Sequence, residues 1–195
     1  MIYTCTIDTP LGAMTAAVKD EALIGLWFAG QDEALIGLWF AGQRYYPPQT
    51  AHWSREPGHP IFKALRNHLE CYFSSLSAKQ SALDVRLAPP GSPFQKTVWD
   101  ILLKIPRGQV VTYGQIAEYI AKTRGLASMS AQAVGGAVGH NRISILIPCH
   151  RVVGSNGSLT GYAGGLDKKA ALLRIEKANL AKISFPVSVA PQPKD

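Results

Sequence analysis

The sequence predicts an α+β protein in which a small N-terminal antiparallel sheet with one helix precedes a helical domain. Alternating, β-rich runs occupy the first part of the chain, whereas apolar residues at helical spacing dominate after residue 91. The stretch Ala-Pro-Pro-Gly at 88–91 separates the two patterns. We therefore predict a first domain over 1–90, a second over 91–182 and a flexible tail over 183–195.

The N-terminal half begins with two predicted strands, 2–7 and 14–18, joined by a turn at 9–12. The segment 20–31 is then repeated without a change as 32–43. A period that occurs only twice does not make a repeat architecture. We expect one copy to supply a strand of the sheet and the other to add an edge strand or a protruding loop.

A connecting loop is predicted over 45–60, a helix over 61–76 and a short strand around 83–87. In the second half, Ser92 with Pro93 predicts a helix start, and Thr112 with Gln115 predicts a capping box. Ser128 or Ser130 can cap a further helix, and a last helix is expected from Asp167 to Ile175. The buried stripe of the first of these helices is predicted to be Phe94, Val98, Ile101, Leu102 and Ile105.

The net charge of +7 is concentrated in the second half. Residues 1–90 hold 7 Lys/Arg against 8 Asp/Glu, whereas residues 91–182 hold 12 against 4. This asymmetry favours an acidic partner, nucleic acid first, over a basic surface kept for solubility. Three scattered cysteines indicate neither a disulfide framework nor a metal site. We expect no metal, no cofactor, no membrane span and, without a signal peptide, a cytoplasmic location.

Cys149, His150 and Arg151 join a thiol, an imidazole and a guanidinium in consecutive residues, with apolar residues on both sides. A cysteine in such a place is a strong nucleophile when neighbouring groups stabilise its thiolate. A buried structural cysteine is the alternative. Upstream, the segment 130–141 is rich in Ala and Gly, which gives a helix with an almost bare surface. Such a helix can enter the narrow minor groove of DNA or pack tightly on another helix.

These elements together resemble the C-terminal domain of the O6-alkylguanine-DNA alkyltransferases. The resemblance rests on Ala-Val-Gly-Gly-Ala at 133–137, Pro-Cys-His-Arg-Val at 148–152 and Gly-Tyr-Ala-Gly-Gly at 161–165, and it runs from about Ser92 to about Asn179. It implies an RNase H-like N-terminal domain and a winged-helix-like second domain containing a helix-turn-helix. It also implies repair of double-stranded DNA by one irreversible transfer of an alkyl group from O6-alkylguanine, or O4-alkylthymine, to Cys149. We expect a monomer that binds DNA from the minor groove and flips the damaged base out of the stack into the site.

The resemblance also implies roles for individual residues. Cys149 would be activated by His150, which Glu176 orients, while Tyr113 donates to the guanine and Asn141 lies at the hinge between helix and active-site strand. The expected DNA contacts are Tyr113, Ser130, Gln132, Ala133, Gly135, Gly136, Arg142 and Arg151, although a structural salt bridge is the favoured interpretation of Arg151. The expected alkylguanine pocket is Pro148, Val152, Val153, Tyr162, Ala163, Gly164 and Gly165.

Two positions depart from the family pattern. Gln132 stands where many members insert an arginine into the stack, and Arg142 stands where proline is common. Three other functions are weighed against repair: a protein that binds alkylated DNA without repairing it, a regulator that senses alkylation, and a cysteine hydrolase. The presence of Cys149 argues against a protein that only binds alkylated DNA. The lack of a metal-binding cysteine cluster argues against the regulator, and the bare helix argues against the hydrolase.

Overall fold

The computed structural model describes residues 1–28, 53–74 and 85–179. They belong to two compact units, Met1–Pro90 and Gly91–Asp195. The second copy of the repeat, the first half of the connecting loop and the predicted tail lie outside the described residues. Among the described residues, no helix is both long and apolar enough to span a membrane.

The first unit holds a four-stranded sheet of order β3-β2-β1-β4. Its strands are β1 (Ile2–Ile7), β2 (Met14–Lys19), β3 (Ala22–Phe28) and β4 (Trp53–Arg55). Neighbours are antiparallel except that β4 runs parallel to β1. The prediction of a purely antiparallel sheet is therefore wrong, as is that of a loop over all of 45–60. Three residues show too little alternation to be identified as a strand.

Turn chemistry sets the first hairpins. The predicted turn at 9–12 is confirmed, because the Gly12 amide donates to the Thr9 carbonyl at 2.9 Å. Between β2 and β3 the chain turns at Asp20 and Glu21, whose φ angles of 49° and 54° are those of a tight hairpin turn. β3 comes from the first copy of the repeat.

Helix α1 (Pro60–Phe73) follows, with His59 as its N-cap. It buries Phe62, Leu65, Leu69 and Tyr72. The predicted helix is confirmed. Its apolar spacing predicts Ile61 on the buried face, but Ile61 is only half-buried and Phe62 is buried instead.

The second unit is mainly helical. Its elements are α2 (Pro93–Leu102), β5 (Val111–Thr112), α3 (Tyr113–Thr123), α4 (Ala131–Gly139), a single 3-10 turn (Cys149–Arg151), β6 (Val152–Val153) and α5 (Leu166–Ile175). β5 and β6 pair in parallel, with Val111 opposite Val152. This pairing places the strand that follows the 3-10 turn beside the strand that precedes α3.

Side-chain caps begin α2, α3 and α4 where the sequence predicts them. Ser92 and Gln95 form a reciprocal capping box at α2, and Thr112 and Gln115 form another at α3. At α4 the cap is Ser130, whose hydroxyl accepts from the Ala133 amide at 3.2 Å. Each cap satisfies backbone donors that a helix start otherwise leaves without a partner.

Trp99 joins α2 to α4. Its ring is buried, and Nε1 donates to the carbonyl of Ala137 at 2.9 Å. The predicted stripe of α2 omitted Trp99 and included Phe94 and Ile101, which are only partly buried. A buried indole N–H usually needs a hydrogen-bond acceptor, and here the acceptor is a backbone carbonyl of α4. This hydrogen bond therefore fixes the position of α4 relative to α2.

Candidate active site

Asn141 organises the loop that leads from α4 to the 3-10 turn. Its Nδ2 donates to the carbonyls of Ile143 and Ile147 at 3.2 and 2.8 Å, and to the sulfur of Cys149 at 3.1 Å. Its Oδ1 accepts from the Ile143 amide at 3.0 Å. Because the side chain is buried, these contacts fix the loop and the thiol together.

The Cys149 thiol is 7% exposed at the start of the 3-10 turn. Burial raises its pKa, and the hydrogen bond from Asn141 and the charge of Lys169 offset this only in part. The resting side chain is therefore a neutral thiol at pH 7, and a nucleophilic thiolate requires removal of its proton.

His150 and Glu176 form a buried pair behind the thiol. His150 Nε2 lies 2.9 Å from Glu176 Oε1, and both side chains are inaccessible to solvent. Burial alone would raise the pKa of Glu176, but hydrogen bonds from His150 and Arg151 bring it well below its usual range. An ionised carboxylate can only accept, so Nε2 carries the proton of the imidazole.

The other nitrogen of His150, Nδ1, has no hydrogen-bond partner within the described part of the chain. Burial lowers the pKa of His150, against the opposing effect of Glu176, so the ring is neutral at pH 7. Nδ1 then offers a lone pair able to accept a proton. The hydrogen bonds of the described residues include none directly between His150 and the Cys149 sulfur.

Arg151 completes the charge network. Its Nε and Nη2 donate to the two oxygens of Glu176 at 2.8 and 2.7 Å, and Nη1 donates to the Ile105 carbonyl. Glu176 itself is the C-cap of α5 and also accepts from the Gly108 amide at 3.3 Å. Because its side chain is 10% exposed and each of its three guanidinium nitrogens donates within the protein, the arrangement argues against a DNA contact by Arg151. It favours the structural salt bridge.

Tyr113 stands at the first position of α3, between the bare helix and the glycine loop at 161–165. Its hydroxyl donates to the Thr160 carbonyl at 3.2 Å. A Cβ at Gly135 would lie 3.8 Å from the ring, and one at Gly161 would lie 3.7 Å from the hydroxyl. Burial raises the pKa of Tyr113, the hydrogen bond to Thr160 opposes this, and the nearby Cys149 raises it further.

The predicted DNA contacts on α4 share one exposed surface. Ser130, Gln132, Ala133 and Gly136 are exposed, and Gly135 is half-buried. A Cβ added at Gly136 or Gly139 would meet no atom within 4 Å. Packing on a neighbouring helix of the chain therefore does not require these two glycines. Arg142, just beyond α4, is half-buried, and burial lowers the pKa of its guanidinium.

The predicted pocket residues do not share one environment. Pro148, Val152 and Val153 are buried, Tyr162, Gly164 and Gly165 are half-buried, and Ala163 is exposed. Val153 packs in a core cluster with Leu159, Ala170, Leu173 and Ala178. This packing argues against Val153 as a pocket wall.

Lys169 is a residue that the sequence prediction missed. It is 0% exposed, and its Nζ donates to the carbonyls of Val152 and Thr160, both at 2.6 Å, and of Gly161 at 3.3 Å. Burial lowers its pKa to about 8, against the opposing charge of Cys149. Helical spacing offered a signal, since Lys169 stands three residues after Leu166 and four before Leu173. The described residues contain no cluster of three or more His, Cys, Asp or Glu side chains that could hold a metal ion.

Residues 93–178, which include this whole site, match the family model described as the DNA-binding domain of 6-O-methylguanine DNA methyltransferase. The second unit thus belongs to a class of DNA-binding transferases. Among curated proteins, the methylated-DNA–protein-cysteine methyltransferase of Mycobacterium tuberculosis is 40% identical over 178 residues, covering 91% of this chain and 94% of its own. That of Methanosarcina mazei is 49% identical over 120 residues, covering 62% of this chain and 71% of its own. The chain belongs to the methylated-DNA–protein-cysteine methyltransferase family.

Solved structures agree with this assignment. Mycobacterium tuberculosis OGT in complex with DNA matches with a TM-score of 0.70 at 38% identity, covering 90% of this chain and 92% of that one. The O6-methylguanine DNA methyltransferase of Methanococcus jannaschii matches with a TM-score of 0.58 at 28% identity, covering 94% and 98%.

Proposed function

We propose that the protein repairs DNA directly, by a single transfer of an alkyl group from O6 of guanine, or from O4 of thymine, to the sulfur of Cys149. The observation that carries the proposal is the buried Cys149 thiol, which accepts from Asn141 beside the His150–Glu176 pair. Membership of the family supports the reaction, because relatives are named for transfer from methylated DNA to a protein cysteine.

The chemistry follows from the protonation states. Nδ1 of His150 removes the thiol proton, through one bridging water, while Glu176 holds Nε2 and stabilises the positive charge that forms. The thiolate attacks the alkyl carbon, a carbon–sulfur bond forms, and the bond from carbon to O6 breaks. Its electron pair stays on the guanine, which takes up one proton. Tyr113 would donate to the base as that negative charge develops.

The thioether product makes the reaction a single turnover. A carbon–sulfur bond in S-alkylcysteine has no leaving group that water can displace under mild conditions, and the proposal includes no cofactor to regenerate the thiol. One molecule of protein is therefore consumed for each lesion.

We further propose that α4 enters the minor groove of double-stranded DNA. Its exposed Gly136 and Gly139 leave space that no group of the described chain fills. Glycine costs about 0.5–1 kcal/mol relative to alanine inside a helix, and close approach to a DNA backbone is a compensation for that cost. Gln132, exposed in the first turn, would occupy the gap left by the flipped base, and Arg142 would contact phosphate.

We also propose a fold for each domain and a location for the alkylguanine pocket. α3 and α4 would form the helix-turn-helix of a winged-helix-like domain over 91–182, and residues 1–90 would form an RNase H-like domain. The segment around Tyr162, Gly164 and Gly165 would frame the alkylguanine pocket. A monomeric state and a cytoplasmic location are predictions from the sequence.

Mass spectrometry tests the reaction. The protein is incubated with duplex DNA containing O6-methylguanine, and intact and peptide masses are measured. We expect a gain of one CH2 unit, located on Cys149, that Cys149→Ser abolishes and that the matched variant Cys71→Ser, at an exposed cysteine, retains. Binding of the DNA without any change of mass would refute the transfer and support a protein that only recognises alkylated DNA.

A further inference from the structure

The carbonyl of Thr160 receives two side-chain hydrogen bonds from different elements. Tyr113 of α3 donates its hydroxyl at 3.2 Å, and Lys169 of α5 donates its ammonium at 2.6 Å. A carbonyl oxygen has two lone pairs, so both acceptor positions are filled. Thr160 therefore links the start of α3, the glycine loop and α5.

The hydrogen-bond donors of Lys169 match the acceptors around it in number. Its ammonium has three protons, and the carbonyls of Val152, Thr160 and Gly161 are the three acceptors. Val152 directly follows the 3-10 turn that carries Cys149, and Gly161 begins the glycine loop. With a side chain that is 0% exposed, Lys169 ties the loop to the strand behind the thiol.

The Tyr113 hydroxyl, unlike the Lys169 ammonium, can donate only one hydrogen bond. It has one proton, and in the free protein that proton is directed at Thr160. Under the proposed function the same proton must be donated to the guanine. The hydrogen bond to Thr160 must then break as the base enters, and a loop held by Tyr113 alone would be released at the moment when it has to frame the pocket.

We propose that Lys169 is a positioning residue for alkyl transfer, which keeps the Thr160–Gly161 segment in place while Tyr113 exchanges its hydrogen bond from Thr160 to the substrate base. The inference rests on the proposed function of Cys149 and Tyr113. Lys169 does not touch the substrate; it acts through the two carbonyls that it holds.

Single-turnover kinetics tests the exchange. Wild type, Lys169→Met, Tyr113→Phe and the double variant are mixed with O6-methylguanine duplex at several concentrations. Lys169→Met is expected to lower the rate constant at saturating DNA by about tenfold or more, the worth of one charge-assisted hydrogen bond. The DNA concentration at half-saturation should change much less, because phosphate contacts elsewhere set it. Lys169→Arg, which keeps the charge and donors, should recover part of the rate, and Lys168→Met is the matched control.

The double variant separates positioning from general support of the fold. In wild type, Tyr113 can still hold Thr160 when Lys169 is removed, at the expense of its bond to the base, whereas phenylalanine cannot. Lys169→Met should therefore lower the rate constant more in the Tyr113→Phe background than in wild type. Two outcomes would overturn the inference. One is an equal fold-reduction of the rate constant by Lys169→Met in the two backgrounds, and the other is an effect of Lys169→Met only on the DNA concentration at half-saturation. Failure of the proposed function looks different, because wild type itself would then give no methyl adduct.

A second measurement does not need a folded Lys169 variant. Amide hydrogen exchange of residues 161–165 is compared in wild type and Tyr113→Phe. We expect protection to be retained in Tyr113→Phe, because Lys169 still holds Thr160 and Gly161. Loss of that protection would mean that Tyr113 holds the loop, and the inference would be wrong.

Discussion

Replacement of Glu176 by glutamine tests the buried charge network behind the thiol. The carboxylate accepts from His150, from two nitrogens of Arg151 and from the Gly108 amide, and its side chain is inaccessible to solvent. Removal of one member of a buried ion pair costs about 3–5 kcal/mol. Because glutamine keeps the shape and one acceptor oxygen, we expect a loss of about 3 kcal/mol, or roughly 6–12 °C in Tm for a chain of this size.

Denaturant unfolding and thermal melts at several pH values measure this loss. The folded-state pKa of Glu176 is depressed, so its contribution is complete above its unfolded pKa of about 4.3 and declines as pH falls below that value. The difference between wild type and Glu176→Gln should therefore be constant near neutrality and shrink below about pH 4.

Glu118→Gln, at an exposed position on α3, is the matched control and should be close to neutral in its effect. A loss below about 1 kcal/mol for Glu176→Gln, equal to that of the control, would refute the reasoning, since a surface pair is worth no more than that. In the transfer assay Glu176→Gln should lower the single-turnover rate by about 10²-fold, the worth of a positioned base.

Two further outcomes follow from the site. Burial lowers the pKa of His150 below its usual 6.5. The single-turnover rate measured by quench-flow should therefore stay constant as pH falls from neutrality through 6.5 and decline only at lower pH. A decline centred at or above pH 6.5 would contradict a neutral, buried base. Gln132→Arg adds a cation to the exposed face of α4, so fluorescence anisotropy should show tighter DNA binding at low salt, with a salt slope steeper by about 0.9. Gln109→Arg adds the same charge at another exposed position, and an equal effect of both variants would argue against contact at Gln132.

The parts of the fold that local chemistry decides were predictable from the sequence. A side chain at a helix start competes for backbone donors a few residues away, so Ser92 and Thr112 could be identified as caps, and both are confirmed. The hairpin of β1 and β2 follows in the same way from its turn residues. β4 could not be found, because its parallel pairing with β1 depends on residues about fifty positions apart in the chain.

In the candidate site, too, the residues identified by a local sequence motif were predictable, and those defined by contacts distant in sequence were not. The sequence places Cys149 and His150 together, and the resemblance adds Asn141 and Glu176, which the structure brings to the same place. Lys169 escaped prediction because a lysine is rarely buried without a carboxylate, and its partners are backbone carbonyls that carry no sequence signal. From the sequence, a structural salt bridge is the favoured interpretation of Arg151. Its partners, an acceptor in the turn after α2 and Glu176, are both distant in sequence.

The position of Glu176 at the end of α5 has a consequence for synthesis of the chain. Cys149 leaves the ribosome before Glu176, and until α5 has been made and folded, His150 has no carboxylate and the turn at Cys149–Arg151 lacks the lysine behind it. A nascent chain therefore carries a Cys149 thiol whose His150 lacks the carboxylate that holds its Nε2. The charge network behind the thiol is therefore complete only when nearly all of the second unit has been made.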